Sequence, residues 1–463
     1  VSARDQLLEH RPSILVAALG TTFGVGLLGV THVFEQVIDD SVVATSGTVS
    51  TMLGAVAAVF VGLALYVGAI VTANTFATVV AGRTPTIALM RLLGSSARDQ
   101  RRAVAREGLV VGVAGAVLGT LAGLALVVVA VRVLVGRGQL PDLAYSYLSV
   151  GGLVPAVAVV LTTVAAAWVG SRRVLQVTPL QATDAAQDSP VSGRSRRIVR
   201  TVLAALLVVG GGLLLVAGVV VGMADASGVL IAFVGGVLSF TGVVVGAHAL
   251  MPGVLSAVGR TFGTSQVARL AAENAVRQPE RSTRATIGIV IGVTLVTTLS
   301  VALETLRTFI YSLEQDPSYA AELDQVFTTT LLIVAGLVGF SAVIAAVGMV
   351  NDMSLSVMQR RRELGLLRAI GSTAGQVRRM ILLEATQMAL TAIVVGVVLG
   401  VVYGWAGAQA LLGSANRGLI PPSLPVPLLV GLAVTAAVLA GVAALVPARR
   451  ATSVTPVEAL AAR

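Results

Sequence analysis

The chain has no cysteine, and every one of its 32 Lys+Arg positions is arginine. Without cysteine there is neither a disulfide nor a thiolate metal site, and cysteine usage says nothing of the redox compartment. Without lysine there is no Walker A loop, because G-x-x-x-x-G-K-[ST] needs its Lys on the phosphates of a bound nucleotide. The chain therefore does not drive itself with a P-loop. Histidine is scarce, and His10, His32 and His248 are too scattered to read as a metal cluster. Charge is scarce too: 12% of residues are charged, half the share of about 25% in a soluble domain. What fills the space is apolar, with 56% hydrophobic residues and a mean hydropathy of +0.92. Such a composition, with repeated apolar runs of about 20 residues, predicts an all-α polytopic membrane protein.

Ten apolar segments are predicted to be transmembrane helices, near 13–32, 51–78, 107–133, 149–170, 200–222, 228–251, 285–303, 326–350, 379–412 and 425–446. If they alternate across a bilayer, only Arg132, Arg137, Arg307 and Arg417 fall on one side, and all other arginines on the opposite one. The positive-inside rule puts both termini and the basic loops in the cytoplasm. The opposite loops carry acids instead: Glu35, Asp39 and Asp40 in one, Glu314, Asp316, Glu322 and Asp324 in another. The first apolar run lacks a small-residue cleavage site followed by a soluble domain, and reads as a retained span rather than a signal peptide. Charged residues within the spans, which would mark an ion or proton path, are nearly absent. Glu107, Glu304, Glu384 and His248 lie at or near span ends.

The sequence repeats itself. IALMRLLGSSARDQRRAVAREGL near residue 91 matches LGLLRAIGSTAGQVRRMILLEAT near 368, and aligning Gly94 with Gly371 gives an offset of 371 − 94 = 277. At that offset Arg91 meets Arg368, Arg101 and Arg102 meet Arg378 and Arg379, and Glu107 meets Glu384; Gly119 and Gly123 meet Gly396 and Gly400. The ends SRRVLQVTPLQA and ARRATSVTPVEA match at 277 as well. At the front, ALGTTFGV (18–25) resembles TIGIVIGV (286–293) at 286 − 18 = 268, which would leave about nine extra residues in the second copy. Spans 1–4 and 7–10 are thus expected to be two four-helix units, with spans 5 and 6 inserted. Six spans separate corresponding helices, so the copies should share one orientation, unlike inverted transporter repeats. The expected organisation is a first unit at 1–179, a cytoplasmic linker at 180–198, two connecting helices at 199–258 and a second unit at 259–463. The linker, LQATDAAQDSPVSGRSRRI from 180 to 198, is polar and carries Pro and Gly.

The densest charge sits in RRRELGLLRAIGSTAGQVRRM, residues 360–380. Leu364, Leu367 and Ile370 repeat at a spacing of three, as do Ile87, Met90 and Leu93 in the first copy. Between them stand Arg360, Arg361, Arg362, Glu363 and Arg368, or Arg83 and Arg91. This predicts a short amphipathic helix with an apolar stripe and a cationic face. Gly94 and Gly371 fall where a helix needs a left-handed C′ residue, and the pairs Ser96/Asp99 and Thr373/Gln376 fit N-cap and N3 of a following helix. A basic interfacial helix that holds anionic lipid heads is one reading. Two copies with the same turn chemistry favour a paired docking site for a cytoplasmic partner.

The stretch RRRELGLLRAIGSTAGQVRRMILLEA resembles the signature of FtsX-like (MacB/LolCE-type) ABC transporter permeases, and the arrangement of two units with two extra helices looks like the ten-span subclass of that family without a large extracellular domain. The resemblance implies that the segment between the second and third helices of each unit is a coupling helix docked on a cytoplasmic ABC ATPase homodimer, which binds the ATP and Mg. The contact residues carried over by position are Arg83, Ile87, Met90, Arg91, Leu93 and Gly94 in the first copy. In the second they are Arg360, Glu363, Leu364, Gly365, Leu367, Arg368, Ile370 and Gly371. The first copy departs from the pattern, with Thr84, Pro85 and Thr86 where the second has Arg361, Arg362 and Glu363. Glu107 and Glu384 are expected to pair with Arg101, Arg102, Arg378 and Arg379 at the cytoplasmic boundary.

The function so implied is that of a non-catalytic permease subunit in the bacterial cytoplasmic membrane. It would couple ATP hydrolysis by the partner to export or extraction of a lipid, hydrophobic peptide or amphiphilic drug, by mechanotransmission. The alternative is a non-transporting signal transmitter that activates a cell-wall hydrolase or a sensor kinase. The expected partners are the ATPase, the lipid bilayer and an extracellular accessory protein, with no nucleic acid; no cofactor, metal or catalytic residue is expected in this chain.

Overall fold

The structure, a computed structural model, describes residues 11–39, 96–138, 140–147, 153–170, 194–263, 265–277, 279–313, 361–416 and 418–426, and single positions at 59, 66, 430, 431, 434, 438 and 441. All regular structure among them is helical. The helices are α1 (Arg11–Asp39), α2 (Ala97–Gly136), α3 (Val154–Gly170), α4 (Arg194–Gly222), α5 (Gly228–Gly259), α6 (Gln266–Arg277), α7 (Pro279–Leu313), α8 (Arg361–Ala369) and α9 (Ala374–Asn416), with a 3₁₀ turn at Arg260–Phe262. Among the described residues, five stretches are long and apolar enough to cross a membrane: Arg102–Gly136, Ile198–Gly222, Gly228–Phe262, Thr286–Ser312 and Ala374–Ala415. They coincide with the third, fifth, sixth, seventh and ninth expected spans. The segments expected at 51–78, 326–350 and 425–446 fall almost wholly outside the described residues. The chain divides into two compact units, Val1–Ser195 and Arg196–Arg463.

In the first unit, small residues set how closely helices approach. A Cβ on Gly115 would collide with Ala17, one on Gly119 with Ala18 and Thr21, and one on Gly123 would lie 2.9 Å from the Cβ of Val25. Numbers rise together along both helices, so α1 and α2 run parallel, and the glycines bring their backbones together as small residues do between membrane helices. Thr22 Oγ1 sits 2.8 Å from the Ala18 carbonyl and 3.1 Å from that of Gly119, across the interface. At the far end of α1, the Gln36 amide holds the segment after α2. Its Nε2 donates to the Ser146 carbonyl at 3.1 Å, and its Oε1 accepts from the Ser146 N–H at 2.9 Å.

The second unit packs α7 on α9 in the same way. A Cβ on Gly396 would lie 2.6 Å from Val293 Cγ1, and one on Gly400 would collide with Thr297. Gly119/Gly396 and Gly123/Gly400 are 277 apart, but their partners are not. Thr22 and Val25 are replaced by Thr294 and Thr297, an offset of 297 − 25 = 272. The structural register of the first helix is therefore one helical turn later than the offset of 268 read from ALGTTFGV and TIGIVIGV. The second copy carries 277 − 272 = 5 extra residues before α9, not nine. The apolar letters of those two octapeptides match by composition, whereas the contact is fixed by which residue lies against each glycine.

The helices α4 and α5 form a hairpin closed by residues 223–227, where the Ser227 N–H donates to Asp225 Oδ1 at 2.7 Å. Glycines spaced by seven line its seam: Gly211 and Gly218 on α4, and Gly228, Gly235 and Gly242 on α5. A Cβ on Gly218 would fall 2.6 Å from Ala232 Cα, and one on Gly242 would fall 2.7 Å from the Val208 nitrogen. The hairpin lies along α9. Gly222 abuts Ala410, the Ser239 and Tyr403 hydroxyls are 3.0 Å apart, and Gln387 Nε2 donates to the Leu255 carbonyl at 2.7 Å. Ala406 and Ala410 on α9 are consequently 0% exposed, while their counterparts 277 earlier on α2, Val129 and Val133, are 61% and 46% exposed. The far end of α9 holds the following turn: Gln409 bonds both the Gly418 carbonyl and the Ile420 N–H, and Trp405 Nε1 donates to the Ile420 carbonyl at 2.7 Å.

Candidate functional site

The candidate site is the turn between α8 and α9. The sequence places Gly371 after the last apolar residue of a short helix, and the structure gives it φ +108°, a backbone that L side chains rarely adopt. That conformation lets two N–H groups turn back onto orphan carbonyls. Gly371 N–H donates to Arg368 O at 3.2 Å and Ser372 N–H to Leu367 O at 2.9 Å, the paired bonds of a Schellman motif. The next helix then begins with a reciprocal box. Gln376 N–H donates to Thr373 Oγ1 at 3.2 Å, and Thr373 N–H to Gln376 Oε1 at 2.8 Å. Ser96 plays the same part at the start of α2, accepting from the Asp99 N–H at 3.1 Å. Both ends of the turn are satisfied, so the chain reverses here in one defined way.

The underside of the turn is a small apolar core. Leu364 of α8 is buried together with Val377, Met380 and Ile381 of α9 and Ala271 of α6, and Leu367, Leu383 and Val267 pack around them. Fully burying a Leu side chain contributes about 1.5–3 kcal/mol, which helps to hold a nine-residue helix that would be marginal alone. Asn274 of α6 reaches Met380 Sδ at 3.7 Å. The helix α6 does not appear in the span pattern. Its trace is Val267, Leu270, Ala271 and Asn274, spaced by three and four among charged residues.

The expected apolar stripe is divided. Leu364 and Leu367 face the core, but Ile370 is 73% exposed, alongside Leu366 at 56%. At 100° per residue, a spacing of three drifts back by about 60° at each step, so the third member of such a stripe leaves the face of the first. The exposed surface of α8 is thus formed by Glu363, Leu366 and Ile370, which share a face at spacings of three and four. Gly365 is buried and Arg368 half-buried. Arg83, Ile87, Met90, Arg91, Leu93, Gly94 and Arg360 lie outside the described residues. In α2, Arg102 is exposed and Glu107 half-buried; Arg101 lies in the same helix. In α9, Arg379 is exposed, Arg378 half-buried and Glu384 only 4% exposed. Glu107, Glu363, Arg368 and Glu384 all have partners within the fold.

The model of the FtsX-like permease C-terminal family matches the chain twice, over residues 58–179 and 335–456, more than half of its 463 residues. The chain belongs to the FtsX-like permease family. The two matches start 335 − 58 = 277 residues apart, the same interval found in the sequence alone. With five helices able to cross a bilayer among the described residues, this FtsX-like permease is a multi-pass membrane protein. It is similar to the uncharacterized ABC transporter permease YknZ of Bacillus subtilis, with 32% identity over 142 residues, 30% of this chain and 34% of that one. It is also similar to the macrolide export ATP-binding/permease protein MacB of Nitrobacter winogradskyi, with 32% identity over 130 residues, 28% of this chain and 19% of that one. The uncharacterized ABC transporter permease MJ1507 of Methanocaldococcus jannaschii is 25% identical over 141 residues, 30% of this chain and 35% of its own length. The aligned region therefore spans about a third or less of each of these relatives.

Proposed function

We propose that this chain is the membrane subunit of an ABC system, which couples ATP hydrolysis by a separate cytoplasmic ATPase to export or membrane extraction of a lipid, hydrophobic peptide or amphiphilic drug. The carrying observation is the α8–α9 turn. A short helix is held by a Schellman turn, a capping box and an apolar core, and presents Glu363, Leu366 and Ile370 outward. A surface element so firmly attached to a long apolar helix suits the transfer of a push. No Walker A loop lies within these 463 residues, and the names of the YknZ and MacB relatives support the ABC class.

In this reading the chain crosses the bacterial cytoplasmic membrane ten times, with both termini inside. Two four-helix units of one orientation flank the α4–α5 hairpin, and an ATPase dimer engages the turn of each. Pairing of Glu107 and Glu384 with arginines of their own helices belongs to the same reading. The experiment is co-purification with the ATPase, followed by Glu363→Arg and Arg368→Glu. Each is expected to uncouple hydrolysis from substrate loss in vesicles. Unchanged coupling in both variants would overturn the assignment, and activity that requires an added external protein would redirect it to signalling.

A further inference from the structure

We infer that α6 is the positioning element of α8, and that α6, α8 and the first turns of α9 move as one body. The inference rests on α8 being the coupling helix, but its evidence is separate. Ala271 of α6 is 1% exposed within the core that holds Leu364, and Asn274 adds a second tie to Met380. Just beyond, Gln387 of α9 donates to Leu255 of α5, and Gly259 lies so close that a Cβ there would fall 2.6 Å from Gln387 Nε2. Six residues, 260–265, join α5 to α6, the first three of them a 3₁₀ turn, and α7 begins at Pro279, two residues after α6 ends. Displacement of α8 is therefore expected to be shared with α6 through their common core. It passes through α6 into α5 and α7 at once, which makes the α4–α5 hairpin part of the output of this unit rather than a spacer.

The absence of native cysteine allows a clean test. Leu270→Cys on α6 and Ala369→Cys on α8 are both exposed sites, and spin labels there report the separation of the two helices. In the complex of full chain and ATPase, one unchanged distance is expected between the nucleotide-free and ATP-trapped states. A change as large as a helical turn, about 5.4 Å, would overturn the inference. Ala271→Leu is expected to lower transport per ATP roughly tenfold or more, the scale of forcing methylenes into a filled site, with ATPase binding retained. Ala271→Ser should keep full coupling. Hydrogen exchange on the chain alone separates this claim from the proposed function: α6 and α8 amides should open together. If α6 opens without α8, the inference falls even where the ATPase binds; if no ATPase binds but the two open together, only the proposed function falls.

Discussion

Replacing Gly371 with alanine isolates the contribution of backbone conformation to the turn. At most tight glycines in this chain a methyl group would collide with a neighbour, so steric and conformational costs mix. At Gly371 an added Cβ meets nothing within 4 Å, while φ is +108°. The whole penalty is then the cost of holding an L-residue at positive φ, about 1–2 kcal/mol. Expressed as local opening, that is a factor of about 5–30. The amide to watch is Ser372, whose N–H bonds Leu367 O across the turn at 2.9 Å. Its hydrogen exchange should accelerate by that factor in Gly371→Ala and by less in Gly371→Asn, since asparagine tolerates the left-handed region better. Gly375→Ala is the control. That glycine lies in the first turn of α9, its Cβ would come no nearer than 3.9 Å to Thr373 Oγ1, and alanine there should be neutral or stabilising. Equal exchange at Ser372 in wild type and Gly371→Ala, or a larger effect from Gly375→Ala, would refute the reasoning.

The two threonines that occupy equivalent places should respond in opposite senses to valine. Thr22 is bonded, so Thr22→Val is expected to cost about 1 kcal/mol in detergent melts, whereas Thr294 Oγ1 is buried with no partner and Thr294→Val should be neutral or stabilising. Gln409→Leu removes bonds to both Gly418 and Ile420; proteolysis or exchange in the 418–423 turn should rise, with a loss of about 1–3 kcal/mol. The Ser227 hydroxyl and backbone N–H hold the Asp225 carboxyl below its usual pKa. The lowered pKa makes that contribution present above the unfolded value of about 4 and lost as pH falls through the folded one. Melts from pH 7 to 3 should therefore show the advantage of wild type over Asp225→Asn shrinking toward acid. Charge reversal at Glu363 or Arg368, described above, tests the coupling itself.

The repeat was legible because a single offset runs through charged and turn residues, whose identities are tightly constrained. Arg91 and Arg368, Glu107 and Glu384, and Ser96 and Thr373 cannot drift without losing a cap or a charge. The caps of the candidate site were legible for the same reason: Gly371 and the Thr373/Gln376 pair are local chemistry, settled within a few residues. Register inside the apolar helices was not, because Val, Ile and Ala are interchangeable letters and only the glycine contacts reveal that Thr294 answers to Thr22. The ties made by Gln36 and Gln409 left no pattern at all. Gln36 bonds a segment 110 residues away, and Gln409 fixes the turn that follows its own helix, through amides that no spacing rule singles out. The helix α6 was hidden by its shortness beside two long apolar runs.

The seat of the inserted hairpin carries a consequence for how this gene can evolve. Alanines stand at 406 and 410 where the earlier copy has valines, so the two halves have ceased to be spare parts for one another. A recombinant that exchanged α2 and α9 would leave the hairpin leaning on bulky side chains and expose a bare alanine track elsewhere. The two helices are therefore not interchangeable, because only α9 offers the hairpin a surface of small residues.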